Sequence, residues 1–397
     1  MKRLNIILLG TSLISLVLSG CFVPGTNEGT LTIRLPGNPS SSSGRTVVTP
    51  AEIATLNYEI ILDGPGGRRT ERFTGTSVTV RVSPGRYRVV IRAYGNRSFH
   101  GNTYSNFPQI MLRGWGIKMV DVKAGANNTN ITMTTALEVT DYAQFNQAIA
   151  NAGLQEEIII IKGTVSVPFD YGINNKIITF IAETPATLDM TSGAFQTIGS
   201  SILTLGKEGM GGTLTINGGS IFNEPLIRTF SGNSSKIIMN NGVILQNRQN
   251  TTGGDPGGGV YVGSNGIFIM NGGTIRGNYG GGGGGVHVMG NFIMTGGIIS
   301  NNITVGQGGG VFVDGGHFTM NGGIITGNFT DNGLIIGNNR IGGGVRVDTG
   351  TFTLDLPATK ANISGNIAMA PSQVSIQMGA IINGTAVTVD PSLTSGW

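Results

Sequence analysis

One stretch of this chain limits its folding more than any other, because between Gly257 and Asn328 the same short sequence is written three times. Gly257-Gly258-Gly259-Val260-Tyr261-Val262 returns as Gly283 to Val288 and again as Gly308 to Val313. Phe268-Ile269-Met270-Asn271-Gly272-Gly273-Thr274-Ile275 returns as Phe292 to Ile299 and as Phe318 to Ile325. Val286 lies 26 residues beyond Val260, and Val311 lies 25 beyond Val286. A period of that length marks stacked repeats, in which each unit hides its apolar face only against its neighbours.

Each unit carries three short alternating apolar pieces separated by glycine or asparagine, which is strand patterning with turn punctuation. Comparing the copies predicts which side chains point inward. The outer valines persist through a fourth copy, Val345 and Val347, whereas the residue between them changes from Tyr261 to His287, Phe312 and Arg346. The valines are therefore expected inside and the middle column outside. Phe268, Phe292, Phe318 and Phe352 are expected to stack in the core, as are Met270, Met294, Met320 and Leu354, with Ile275, Ile299 and Ile325 on a third wall. Three residues after a wall isoleucine comes asparagine: Asn247, Asn278, Asn302, Asn328 and Asn366. Asparagine accepts left-handed turns and its amides bond along a stack, so these residues are read as an internal ladder.

The chain has 397 residues with 67 glycines, and it lacks the triplet spacing of collagen; 39% hydrophobic content argues against disorder. Charge is unevenly placed. Residues 29–135 hold 13 basic and 5 acidic side chains, whereas from 155 onward there are 10 basic and 13 acidic. The front is read as a solvated basic face, since no dense basic run or basic-aromatic array is present, and nucleic acid is not an expected partner.

At the start, Lys2 and Arg3 precede an apolar run from Leu4 to Leu18, followed by Leu18-Ser19-Gly20-Cys21. That run is short for a membrane span and has the flanks of a secretory signal. Leu-Ser-Gly-Cys resembles the lipobox of bacterial lipoproteins, which implies that Cys21, the chain's one cysteine, is lipidated and becomes the mature first residue. Residues 1–20 then form the signal peptide and 21–28 a lipidated tether.

From 29 to 135, strands of period two are expected at Leu31–Leu35, Leu56–Leu62, Val78–Val82, Tyr87–Ala93, Ile117–Val122 and Asn130–Met133. Ser40 to Ser43 reads as a flexible loop, and Ser83-Pro84-Gly85-Arg86 as a tight hairpin turn. Antiparallel strands so spaced predict a β-sandwich, Ig-like or prealbumin-like. The hairpin Val82 to Tyr87 resembles that of prealbumin-like and carboxypeptidase-regulatory-like modules of secreted bacterial proteins. Asp141 to Ala152 is the expected helix, with Phe145, Ile149 and Ala152 on one face, placed to cap the open end of the repeat core. Less regular repeats follow through Ile158–Ile161, Thr164–Val167, Ile177–Ile181, Ile202–Leu205 and Leu214–Ile216. Val374–Ile376 and Val387–Val389 read as a terminal unit closed by Pro391. The aromatic end at Trp397 lacks the preceding amphipathic strands of a membrane barrel.

The Gly-Gly-Val and Phe-x-Met-Asn pairs are similar to the Gly-Gly-aliphatic and Phe-x-x-Asn motifs of polymorphic outer-membrane proteins, and more broadly the repeat resembles the pectin-lyase-like right-handed β-helix. The fold class expected is all-β: an N-terminal β-sandwich over 29–135, then a right-handed parallel β-helix with an N-terminal capping helix over 136–397. Thr295 departs from the motif in one copy.

In pectin-lyase-like enzymes, loops before the first strand of each coil and that strand's outer face form the substrate cleft. The resemblance therefore makes the column Tyr261, His287, Phe312, Arg346 the candidate contact surface, since aromatic faces and a guanidinium stack on sugar rings. Asp314 and Asp348 follow equivalent valines and are candidates for paired carboxylates, with His317 and Arg346 as neighbours, although turn chemistry explains both aspartates. His100, His287 and His317 lack metal-ligand spacing, and no lysine follows Gly280–Gly285 as a phosphate loop requires, so neither metal nor cofactor is expected. The sequence reading is a lipid-anchored protein of the bacterial cell envelope, at the outer membrane or cell surface, acting as a structural or adhesive module with no assigned catalytic residue. Its expected partners are the membrane, through the N-terminal lipid, and surface glycans or host or neighbouring proteins. The alternative is a carbohydrate-binding or polysaccharide-degrading protein.

Overall fold

A computed structural model describes residues 28–35, 56–99, 102–190, 192–219, 224–232, 234–249, 257–330, 343–354 and short pieces of 361–387. The signal segment, Cys21, the tether, the Ser40–Ser43 loop, His100, Pro391 and Trp397 lie outside the described residues. The chain folds as an all-β protein dominated by large parallel sheets, with a single short helix among the described residues, Tyr142–Asn151 (α1).

The front strands are β1 (Gly29–Arg34), β2 (Asn57–Gly64), β3 (Gly67–Phe73), β4 (Ser77–Val82) and β5 (Gly85–Asn96), and all of these but β3 follow the alternating pattern. The core between them gathers Leu31 and Ile33 of β1, Ile60 and Leu62 of β2, Val80 of β4, and Val89 and Ile91 of β5, all buried. One strand goes unannounced by the sequence, and two expectations need correction. Strand β3 has the sequence Gly-Arg-Arg-Thr-Glu-Arg-Phe, so no apolar alternation betrays it; it forms because the turn after Gly64 returns it along β2, where Arg69 faces Leu62 and Glu71 faces Ile60. The Ser83–Arg86 turn is not a hairpin. Strand β4 pairs with β1 while β5 pairs with β2 and Ile110–Val122, so the turn passes between sheets. Gly85 takes φ 148 there, with Pro65 occupying the space of an added Cβ. Instead of one strand at 130–133, Gly125–Asn130 runs parallel to β1, and Thr134–Val139 forms separately.

Helix α1 starts where Asp141 accepts a hydrogen bond from the Gln144 amide at 2.9 Å, an N-cap satisfying one of the first turn's orphan donors. Phe145, Ala148 and Ile149 are buried, and Phe145 packs on Phe180 and Phe195 with ring centroids 5.6 and 6.1 Å away.

From Glu157–Ile161 to Val345–Leu354, each repeat unit pairs in parallel with the next. A separate eight-stranded parallel sheet runs from Thr164–Ser166 to Ala361–Ser364. The expected stacks form. Phe268, Phe292, Phe318 and Phe352 lie in register with centroids 4.9, 4.5 and 4.9 Å apart and rings within 20° of parallel. Each buried phenylalanine contributes about 1.5–3 kcal/mol by burial, and its aromatic neighbours add about 0.5–1.5 kcal/mol per pair. At the end of the chain, Ala380–Ile382 turns back antiparallel on Thr385–Val387.

The asparagine ladder forms at four of its five expected places. Asn278, Asn302 and Asn328 are fully buried and Asn366 nearly so, and each Nδ2 donates to the next Oδ1 at 3.0, 3.0 and 2.8 Å. The fifth place belongs to Arg248, whose backbone N–H donates to Asn278 Oδ1 at 3.1 Å. The error was one residue of register, because Leu245 and not Ile244 occupies the wall above Ile275. Asn247 aligns instead with Gly277, Asn301 and Gly327, and these four carry the left-handed backbone, with φ from 53 to 64°. The turn residue and the ladder residue are thus neighbours with separate duties.

Candidate functional site

The valines beside the candidate column are fully buried, and the middle residues turn out of the core in parallel register from Arg228 through Tyr261, His287 and Phe312 to Arg346. Sequence comparison missed Arg228 because its flanks are Ile227 and Thr229, which break the Val-x-Val pattern. These side chains lie outside the apolar core, yet the column is not an open face. His287 and Phe312 are each 8% exposed and Arg346 1%, with Tyr261 half-buried.

The glycine runs explain the cover. A Cβ built on Gly257 would lie 3.2 Å from His287 Cβ, and one on Gly282 would lie 3.0 Å from Phe312 Cδ1. A backbone without side chains therefore lies directly over the column. Beneath it, His287 stands edge-on to Tyr261 and Phe312, with centroids 5.3 and 5.0 Å away. Arg346 donates from Nε to Gln307 Oε1 at 3.0 Å and from Nη2 to Asp348 Oδ1 at 3.1 Å. A cation so deeply placed requires such partners, because burying it unpaired costs several kcal/mol.

The two candidate carboxylates are not brought together as a matched pair. A register shift after Val313 sets Asp314 opposite Thr349 in place of Asp348. Asp314 Oδ1 accepts from Thr349 Oγ1 at 3.3 Å, and its Oδ2 stands 3.6 Å from His287 Nε2. Chiefly through His287, with Thr349 adding to the effect, the Asp314 carboxyl is held below the usual carboxylate range despite partial burial. His317 bonds Thr351 at 2.7 Å and so serves a different neighbour from Arg346. No group of three or more metal-ligating side chains occurs among the described residues.

Sequence reasoning also missed a groove of about 530 Å³ on another outer face, lined by Glu156, Thr179, Thr204, Lys207, Asn240 and Asn271 among others. Glu156 Oε1 accepts from Thr179 Oγ1 at 2.8 Å and from Lys207 Nζ at 3.1 Å. In register the outward column here runs Thr179, Thr204, Ile238, Ile269, Ile293, and threonine returns at Thr319 and Thr353 away from the groove, so no sequence signal singles the groove out.

Fold and geometry together define an all-β repeat protein whose described outer column is packed beneath glycine runs. No family model matches the chain, and no curated protein matches it. Among solved structures, a fimbrial assembly protein from Parabacteroides distasonis ATCC 8503 is similar at 12% identity over 29% of this chain, with a TM-score of 0.17. The aligned part spans 56% of that protein's length.

Proposed function

We propose that the chain is a lipid-anchored protein of the bacterial cell envelope in which a β-sandwich carries a right-handed parallel β-helix used as a structural or adhesive rod. The observation that carries this reading is the commitment of the outward column to internal contacts. Arg346 is spent on Gln307 and Asp348, Asp314 on Thr349 and His287, and the aromatic edges on each other. Arg346, His287 and Phe312, buried and packed in this way, suit a stiff array better than an open substrate-binding face. Anchoring is tested by Cys21→Ala, which should move the protein out of the membrane fraction; unchanged retention contradicts it. Reducing-sugar and unsaturated-product assays on polysaccharides should be blank, and turnover lost in the Asp314→Ala, Asp348→Ala double variant would reverse the preference.

A second reading, carbohydrate binding, draws support from the Glu156–Lys207 groove, where small polar threonines replace isoleucine and amides line one side. Its volume lies within the usual range of ligand sites. Thr204→Ile copies the residue that three neighbouring units carry at that register position and should leave the fold intact. Oligosaccharide binding that this substitution abolishes would favour the second reading.

A further inference from the structure

Four chain segments meet at one end of the front strands. Gly29 opens β1 opposite Val82 and Gly125, so the chain enters where the turns after Val82 and Val122 lie. Gly85 pairs with Val122, and Pro65 of the β2–β3 turn sits against Gly85, bringing that turn to the same end. This end carries a net positive charge. Arg68, Arg81, Arg86 and Lys123 are exposed there, and Arg69 bonds Glu71 at 2.6 Å and the Arg81 carbonyl at 3.0 Å. Arg88 pairs with Asp63 at 2.8 Å, and the exposed Arg68 lies 3.8 Å from the same carboxylate. The acids at this end are Glu28, Asp63, Glu71 and Asp121, two fewer than the six cations.

The chain's path puts this end nearest any anchor. Glu28 lies seven positions beyond Cys21, and seven extended residue steps span at most about 23–25 Å. A lipid on Cys21 would therefore hold the basic end close to the headgroups, while Arg88 of this end reaches the Gly209 carbonyl of the repeat units.

We propose that the end formed by the β2–β3, β4–β5 and 123–124 turns is a docking surface for anionic phospholipid headgroups, through the exposed arginines Arg68, Arg81 and Arg86. The proposal rests on the lipid-anchored reading only for its orientation, since the surface itself needs no acyl chain. Arginine suits the role because its planar fork pairs with phosphate oxygens in a bidentate manner. Attraction of this kind is felt within roughly a Debye length, about 8 Å at physiological ionic strength, so the surface acts only when held close.

The test uses the chain from Phe22 onward, which keeps every described residue and carries no lipid. It is sedimented with vesicles of phosphatidylcholine alone and with about one-third phosphatidylglycerol at low salt. Binding to the anionic vesicles alone, falling about five-fold for each arginine removed and nearly lost in the Arg68→Gln, Arg81→Gln, Arg86→Gln triple variant, is the expected result. The Lys236→Gln, Arg276→Gln variant of the repeat units should bind as the parent does. Equal partition into both vesicles, no partition into either, or a triple variant that binds undiminished overturns the proposal. Inorganic phosphate that competes more strongly than sodium chloride at equal ionic strength also overturns it, in favour of a discrete phosphate site. Lipidation is read separately by fractionating Cys21→Ala, so the two ideas fail independently.

Discussion

Asn302 sits in the middle of the amide ladder, and replacing it with alanine isolates what the ladder contributes. Its side chain is fully buried, donates to Asn328 Oδ1 and the Ile275 carbonyl at 3.0 Å each, and accepts from the Asn278 side chain at 3.0 Å and backbone at 3.1 Å. Asn302→Ala removes both donors and the acceptor while the partners stay buried. The Asn278 backbone N–H loses its acceptor, and Asn278 Nδ2 keeps only the Leu245 carbonyl at 3.3 Å. Each buried group left unpaired costs about 1–3 kcal/mol, so two such groups plus a small cavity place the loss at about 3–6 kcal/mol. Asn301 is the matched control. It has φ 53° at a position where neighbouring units carry Gly277 and Gly327, and Asn301→Gly should change stability by less than about 1 kcal/mol. Urea denaturation of the full chain reads both, and amide exchange at Asn278 reads the lost bond locally, where faster exchange is expected only for Asn302→Ala. A loss below about 1 kcal/mol for Asn302→Ala, or equal losses for both variants, would refute the ladder's role.

Phe318→Ala takes a ring from between two parallel neighbours at 4.5 and 4.9 Å and should cost about 3–5 kcal/mol by thermal or urea denaturation, whereas Phe318→Leu should cost under about 2 kcal/mol. Gly285→Ala would set a Cβ 2.6 Å from the Gly310 carbonyl and 2.8 Å from Ile299 Cγ2, so about 1–3 kcal/mol of overpacking should appear as a lower denaturation midpoint. Burial pushes the Glu157 carboxyl up to about 8, against the opposing pull of Arg113. The unfolded chain gives up that proton first as pH rises, so this group's contribution to stability should decline from about pH 4.5 to about pH 8, and Glu157→Gln should flatten that part of the profile. For Asp314 the sign is opposite: its lowered carboxyl adds stability above its unfolded range and loses it as acid protonates the folded form, and Asp314→Asn should remove that small acid-side loss in denaturation midpoints taken across low pH.

The repeat core was legible because inward positions admit few substitutions and outward ones many, so comparing copies within one chain separates Val260 from Tyr261 without any structure. What comparison cannot supply is distance to the next layer. His287 and Phe312 vary like surface residues, yet the glycine runs cover them, and a glycine in sequence does not announce which side chain it lies against. Register errors arise where pattern is ambiguous by one residue. Val243-Ile244-Leu245 offers three apolar candidates for one wall position, and only pairing with Ile275 selects Leu245. Strand β3 shows the reverse failure, since an exposed edge needs charge to discourage further pairing and so discards the alternation by which strands are recognised.

Regularity itself follows from the number of different neighbours a unit must satisfy. Units between Gly257 and Phe329 pair above and below with near copies of themselves, and one solution serves each interface. Earlier units also meet the front strands. Thr134–Val139 pairs antiparallel with Ile110–Val122 and parallel with Glu157–Ile161, so the sheet continues through the change of pattern near residue 135. Ile158, Ile160 and Ile181 pack on Ile61, Val90 and Trp115, while Glu183 takes the Trp115 indole N–H at 2.8 Å and pairs with Arg92, itself 3.6 Å from Glu59 and 3.5 Å from Glu138. Arg88 reaches the Gly209 carbonyl in the loop after Ile202–Leu205. Each of these contacts asks a particular unit for a residue that its neighbours do not need. The decay of the repeat toward its first units is therefore the record of the joint, and it covers the edge of the parallel array that would otherwise stand open to another strand.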